Sequence, residues 1–360
     1  MTFITIIVFV LIFSLLVLVH ECGHYFAARR AGVKIEEFGL GLPPRIWGKR
    51  RGGTIWSINL IPFGGFVRLK GEDGEHGREK DALPHKSYGQ RMLVITGGVL
   101  MNFLLAYVLL MIGFWLGMAP IVADLEQFSG SEFDSRVVVL DLVKDSPAEQ
   151  AGVKSGDIIV SINGKAIATS TELQTETNSS NTAKLVIDRE GEEVALAVPT
   201  KLSDDRRMIG VLVDEVLSRV SYVWWQVPYV ALVDLLLMFK QIVAVLVGVI
   251  VQLFTTASIQ EAVTGPVGIA KITGEAVKLG WMYTLQLIIF LSVNLGVINI
   301  VPFPALDGGR LVFLILEISR GGKKISRQWE NGIHSLGFLL LLAFIFAVTY
   351  RDIVHWFKAV

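Results

Sequence analysis

Cysteine is almost missing from the chain. Its 360 residues contain one, Cys22, which excludes an intrachain disulfide framework and any cysteine-rich zinc finger. Neither sign of charge prevails: 33 Lys and Arg face 33 Asp and Glu. That balance excludes a globally basic nucleic-acid binder, so no nucleic acid is expected as a partner. Charge of either sign is also scarce, at 18%, against 52% hydrophobic residues and a mean hydropathy of +0.56. These values exclude a disordered tail, a collagenous fibre and an ordinary soluble chain. What remains is an integral membrane protein, with the lipid bilayer as one partner. Any metal it holds must be bound by histidine and carboxylate.

Residues 1–19 carry no charge. They lack both the basic start and the small-residue cleavage site of a signal peptide, and read as a retained transmembrane helix. Further apolar stretches occur at Met92–Met118, Tyr229–Phe254, Tyr283–Val301 and Ile333–Val348, each judged against the roughly 20 residues needed to cross a bilayer. Charge asymmetry gives the orientation. Arg29–Arg91 carries 13 basic residues against seven acidic and is expected on the cytoplasmic side, whereas Pro120–Tyr222 carries 10 against 18 and is expected outside. Arg310, Arg320, Lys323, Lys324 and Arg327 return the bias to the cytoplasm. Tyr229–Phe254 is the exception among these stretches. It contains Asp234, Lys240 and Gln252, and its uninterrupted apolar core, Ile242–Val251, is about half a span. If it crossed, the basic Arg310–Arg327 loop would fall outside, so an interfacial or re-entrant helix is expected; the alternative is a further span with Lys240 snorkelling.

The expected fold class is therefore a polytopic α-helical membrane protein of about four transmembrane helices, with a membrane-associated β-sheet or hairpin and an inserted extracytoplasmic β-rich domain. The division runs as 1–30, first transmembrane helix; 31–91, cytoplasmic-side loop with membrane-associated strands; 92–118, second transmembrane helix; 122–202, β-rich domain; 203–280, amphipathic or interfacial helical region; 281–310, third transmembrane helix; 311–360, cytoplasmic loop and last transmembrane helix. Within the β-rich domain, Val137–Leu142, Ala183–Arg189 and Glu193–Pro199 read as strands and Ser170–Thr177 as a helix. Asn163-Gly164 reads as a type I′ turn.

The chemical signal is His20-Glu21-Cys22-Gly23-His24, an H-E-x-x-H. On a helix His20 and His24 project from one face a turn apart and can share one zinc, with Glu21 close enough to act on its water. Placed at the end of an apolar helix, these polar groups are expensive unless they are functional. Cys22 points about 200° round the helix from His20 and is read as packing. Two histidines leave a catalytic zinc one protein ligand short if water is to keep the fourth position. His76 and His85 lie in a hydrophilic loop and His355 near the tail. Asp307, in Asn299-Ile-Val-Pro302-Phe-Pro304-Ala-Leu306-Asp307-Gly308-Gly309, follows a helix that runs inward, to the depth of His20 and His24.

H-E-x-G-H together with N-x-x-P-x-P-x-L-D-G resembles the site-2 protease family of intramembrane zinc metalloproteases. Ser-Pro-Ala-Glu-x-Ala-Gly-Val-x-x-Gly-Asp-x-Ile at Ser146–Ile159 resembles a PDZ domain, which points to the bacterial RseP/RasP-like branch with one such domain. The resemblance covers nearly the whole chain. It implies that His20, His24 and Asp307 bind zinc, that Glu21 is the general base, and that Asn299, Pro302 and Pro304 lie beside the substrate. It implies that Gly39 and Gly41 and the strand-like Thr54–Lys70 belong to a β-structure that clamps an extended substrate by strand addition. The implied substrates are transmembrane segments of single-pass proteins, anti-sigma-factor-like or remnant signal peptides, cut in regulated intramembrane proteolysis. The implied location is the bacterial cytoplasmic (inner) membrane, with the PDZ domain outside and the active site near the cytoplasmic side. The PDZ-like loop near Gly152–Ile159 would bind a peptide C-terminus or screen a substrate's outer domain. Two rivals are a PDZ-bearing membrane scaffold with a structural metal and a transporter; the first has no need of Glu21, and no inverted repeat supports the second.

Overall fold

The computed structural model describes residues 3–72, 79–122, 132–189, 191–203, 206–255, 264–323 and 325–358. They form two compact units, one of residues 1–113, 121–123 and 228–360, the other of residues 114–120 and 124–227.

The first unit is built on helices too apolar to dissolve in water. Helix α1 (Phe3–Arg30) spans 28 residues, about 42 Å at 1.5 Å per residue, more than the roughly 30 Å of a hydrocarbon core. Its last turn ends in Arg29 and Arg30, the cations that suit a helix C-terminus. It is followed by strands β1 (Ile35–Arg51) and β2 (Thr54–Leu69), which pair antiparallel across Gly52 and Gly53, both at positive φ as a two-residue hairpin turn requires. The hairpin folds back on itself, so that Phe38 pairs with both Trp56 and Val67, and Leu40 with both Ile58 and Gly65. A buried carboxylate holds the fold-back: Glu37, 2% exposed, accepts from Arg45 Nε (3.0 Å), Arg45 Nη2 (2.6 Å) and Ser57 Oγ (2.7 Å). Removing one partner of such a pair costs about 3–5 kcal/mol, because the charge left behind stays buried.

Helix α2 (Tyr88–Trp115) crosses α1 where both backbones lack side chains. A Cβ on Gly23 would stand 2.2 Å from the Gly97 carbonyl oxygen, so the two glycines let the helices touch main chain to main chain.

The second unit carries strand β3 (Glu132–Leu142), helix α3 (Pro147–Gln150), strands β4 (Ile158–Ile162) and β5 (Lys165–Ala166), helix α4 (Ser170–Asn178), strands β6 (Thr182–Arg189) and β7 (Glu192–Pro199), the short pair β8 (Lys201–Ser203) and β9 (Arg206–Met208), and strand β10 (Val211–Ser221). The main sheet runs β10-β3-β4-β6-β7, with β5 on β4. Val137, Ile159, Ile162, Leu185 and Ile187, each at most 1% exposed, form its core. Helix α4 begins with a capping box of Thr169 and Glu172. The sheet continues past the expected boundary at 202: β10 pairs with β3 from Val211 to Ser221, so Arg206–Met208 and Val211–Ser221 are strands where a helical region was expected. Asp214, Glu215 and Arg219 mask the apolar alternation of β10, and only its pairing with β3 identifies it.

The first unit resumes with α5 (Val227–Thr255), α6 (Pro266–Leu279), α7 (Trp281–Ile300), α8 (Asp307–Ser319) and α9 (Arg327–Lys358). Among the described residues five helices are long and apolar enough to cross a membrane: α1, α2, α5, α7 and α9. Tyr229–Phe254, expected to have only a short apolar core, is one continuous helix within α5. Its Asp234 is fully buried and accepts from the main-chain N–H of Ile121 and Val122, both at 2.9 Å, which accounts for a carboxylate among apolar neighbours. Part of the cytoplasmic loop expected before the last transmembrane helix within 311–360 is helix α8.

Candidate metal and catalytic site

His20 and His24 lie four residues apart on α1, so one turn brings both rings to the same face, with their Nε2 atoms 3.2 Å apart. Asp307 is the first residue of α8, and its Oδ2 lies 3.1 Å from His20 Nε2 and 3.2 Å from His24 Nε2. Two glycines make that approach possible. A Cβ on Gly308 would stand 2.1 Å from the Val301 carbonyl oxygen, and one on Gly309 2.4 Å from that of Phe303, so the first turn of α8 tucks under the 300–304 segment only without side chains. The three side chains are 9%, 12% and 15% exposed.

The donor set fits a zinc ion. His24 Nδ1 lies 2.8 Å from the Val94 carbonyl oxygen, which can only accept; Nδ1 therefore carries the ring proton and Nε2 a bare lone pair. Asp307 Oδ2 is buried and makes no well-formed hydrogen bond despite its closeness to the two rings. His24 Nε2 and Asp307 Oδ2, 3.2 Å apart, are then two acceptors that repel unless a cation sits between them. Donors held about 2.0–2.1 Å from a tetrahedral zinc stand about 3.3 Å apart, close to the spacings seen. Gly98 of α2 leaves the room: a Cβ there would lie 2.5 Å from His24 Nε2 and 2.6 Å from His20 Nε2.

Glu21 faces β2 as well as the cluster. Its Oε2 accepts from the main-chain N–H of Val67 at 3.0 Å, so this N–H points away from β1, with which Val67 pairs at Phe38. The outer edge of β2 therefore runs beside Glu21. Arg310 of α8 pairs with Glu72, just past β2, and Glu72 also accepts from the Leu69 N–H at 3.3 Å. Burial opposes the charge on the Arg310 guanidinium, but Glu72 and Asp307 beside it raise its pKa above the ordinary value.

The other expected site residues are placed as follows. Asn299 is half-buried in the last turn of α7, Pro302 is exposed, and Pro304 packs against Gly337 of α9. Gly39 and Gly41 lie in β1; a Cβ on Gly39 would strike the Phe66 ring, and Gly41 has φ +77 close to the Ile61 carbonyl. Their requirement is explained by packing within the sheet. His85 lies in the turn Leu83–His85, His76 lies outside the described residues, and so does the side chain of His355. Among the described residues the one group of histidines and acids fit for a metal is His20, His24 and Asp307. Sequence reasoning missed the part played by α2, whose Val94, Gly98 and Asn102 recur every four residues and face the two histidines. A lone asparagine and a Gly-Gly pair inside an apolar span were the available signals.

In the second unit a cavity of about 630 Å³ lies between α4 and β10, lined by Ser170, Leu173, Thr177, Gly210, Val211 and Val213 among others. This differs from the expected Gly152–Ile159 loop, where Asp157, 1% exposed, is taken up by Arg189 (Nε 2.7 Å, Nη2 2.7 Å) and the Lys154 N–H (2.8 Å). Glu215 of β10 accepts from the hydroxyl and amide of Ser170, both at 2.7 Å, which holds its carboxyl below the ordinary range and ties α4 to β10 at the cavity.

Comparison with known proteins gives a match to the model of peptidase family M50 over residues 8–344. The regulator of sigma-W protease RasP of Bacillus subtilis is 28% identical over 98% of this chain and 99% of its own length. The zinc metalloprotease RasP of Shouchella clausii is 29% identical over 98% and 100%, and a provisionally named zinc metalloprotease of Fusobacterium nucleatum 31% identical over 98% and 100%. Among solved structures, the PDZ domain of an SdrC-like protein from Listeria innocua aligns with 22% of this chain and 92% of that domain, at 25% identity and a TM-score of 0.20.

Proposed function

The chain belongs to peptidase family M50 and is a membrane zinc metalloprotease, and from that premise we propose that it cuts transmembrane segments of single-pass proteins, with His20, His24 and Asp307 as zinc ligands and Glu21 as general base. The observation that carries the reading is the convergence of three metal donors from α1 and α8 with the Glu21 carboxylate one residue from the first of them. Zinc, when bound, supplies Lewis-acid activation of water and of the peptide carbonyl. Glu21 takes the proton of the attacking water and passes it to the leaving amine, so the peptide is hydrolysed with no covalent enzyme intermediate.

A transmembrane helix hides its carbonyls in its own hydrogen bonds and must unwind to be cut. The edge of β2 beside Glu21 offers replacement bonds. A substrate strand laid along Gly65–Leu69 would take the Val67 N–H now held by Glu21 and free that carboxylate for proton transfer. Asn299, Pro302 and Pro304, on the segment leading to Asp307, are assigned to the opposite side of the substrate; Gly39 and Gly41 act through the sheet that presents the edge.

The charge asymmetry supports the bacterial cytoplasmic membrane, with the active site toward the cytoplasm and the second unit, read as a PDZ domain, outside. The α5 helix suits the interfacial or re-entrant role. It meets α2 at Tyr107 with Pro228 and at Phe103 with Phe239, and the parity of the charged loops is what supports that role. An extended C-terminus of a substrate fits the cavity beside the β10 edge better than the Gly152–Ile159 loop. The name of the Bacillus subtilis relative makes an anti-sigma-factor-like segment the first substrate to try, and a remnant signal peptide the second. The test uses the full chain in detergent with such single-span substrates. Cleavage that a zinc chelator abolishes and added zinc restores supports the proposal; cleavage indifferent to the chelator, or confined to soluble peptides, refutes it.

A further inference from the structure

We infer that Asn102 is a positioning residue: its side-chain oxygen accepts the Nδ1 proton of His20 and so holds that imidazole with Nε2 bare toward the metal. This rests on the assignment of His20, His24 and Asp307 as ligands. Asn102 is fully buried on α2, with its amide nitrogen 3.3 Å from His20 Nδ1, while its amide oxygen, also buried, has no hydrogen-bond partner. Nitrogen and oxygen of an amide exchange places by a half-turn of the group, and the hydrogen-bond network decides between them. With nitrogen toward His20, Nδ1 must accept, the ring proton sits on Nε2 where a metal has to bind, and the oxygen stays orphaned. Turned round, the oxygen takes the Nδ1 proton, the orphan disappears and Nε2 keeps its lone pair.

His24 has the same arrangement by another route, since the Val94 carbonyl admits only the tautomer with the proton on Nδ1. Val94, Gly98 and Asn102 are four residues apart, so one stripe of α2 supplies both outer hydrogen bonds and the room between them. The Asn102 main-chain carbonyl accepts from Ser292 Oγ of α7 at 2.8 Å, which fixes α2 against α7 at this level. Outer partners of this kind set ring orientation and ligand basicity, and losing one weakens metal binding by about 10- to 100-fold.

The experiment measures zinc affinity of the full-length protein in detergent by competition with a chelator, for wild type, Asn102→Leu and Asn102→Asp. Leucine removes the acceptor and roughly keeps the volume; aspartate keeps an acceptor in place. The expected result is a loss of about tenfold or more for Asn102→Leu and an affinity within about threefold of wild type, or tighter, for Asn102→Asp. Leucine binding as tightly as wild type, or aspartate losing as much as leucine, would overturn the inference, the second outcome pointing to packing alone. Should Asn102→Leu not fold, Asn102→Asp decides: near-wild-type affinity upholds the inference and a loss of about tenfold or more overturns it. A wild type that takes up no zinc sinks the ligand assignment itself, a failure distinct from variants that bind as well as a zinc-loaded wild type.

Discussion

Gly98 matters to the site through what it lacks. Any side chain there would occupy the space in front of His20 and His24, with its Cβ 2.5–2.6 Å from ring atoms of both. Gly98→Ala should therefore fold, since an added methyl in a helix raises local propensity, yet bind zinc on the order of 100-fold more weakly; metal analysis after dialysis would find it largely empty. Full zinc content in that variant would mean the rings do not face the metal as described. At this scale the sequence was informative wherever chemistry is written in residue type. H-E-x-x-H and Leu-Asp-Gly named the cluster, because donor identity and helical spacing are sequence properties. Gly98 and the Val94 carbonyl were not legible, because one acts by absence and the other through the main chain, and both depend on how α2 crosses α1.

Among the elements, the hairpin of β1 and β2 bears most directly on specificity. Its outer edge at Val67 and Leu69 has no strand beside it, and its main-chain donors there are held by the side chains of Glu21 and Glu72. Val67→Pro removes the N–H that Glu21 accepts and leaves the ladder to Phe38 largely in place. Cleavage should fall about tenfold or more, the order expected for a lost positioning hydrogen bond in a dry site, while zinc content stays at that of wild type. Unchanged cleavage would remove β2 from the substrate path. The β-structure at Thr54–Lys70 was expected from the family resemblance and is present as β2. The fold-back was not, because it depends on Glu37 meeting Arg45 and Ser57, contacts between residues up to 20 positions apart. Strand β10 was missed for a related reason: its charges break the alternation, and its identity comes from pairing with β3 across about 70 to 90 residues.

At the scale of the whole molecule, the chain divides its work between an apolar unit that holds the cluster and a β-rich unit with its own core. Membrane residence was legible from composition, since so apolar a chain has no other solvent in which to fold. The closing of residues 206–221 onto the second unit was not, because a boundary is set by contacts rather than by local pattern. Asp157→Ala should destabilise the second unit by about 1–3 kcal/mol, because the Lys154 N–H loses its acceptor and the partly exposed Arg189 loses its ion pair with Asp157. A lowered melting transition with unchanged zinc content would check it, and a transition at the wild-type temperature would count against the ion pair as a structural tie.

The central claim is that a carboxylate beside a metal cluster moves the proton in peptide hydrolysis, and Glu21→Gln examines it most directly. Wild type and variant, purified in detergent, would be assayed side by side for zinc content and for cleavage of a single-span substrate. Equal zinc in both proteins and a loss of cleavage on the order of 10²–10⁴-fold in the variant are expected. A Glu21→Gln protein that keeps its zinc and still cuts at the wild-type rate would contradict it.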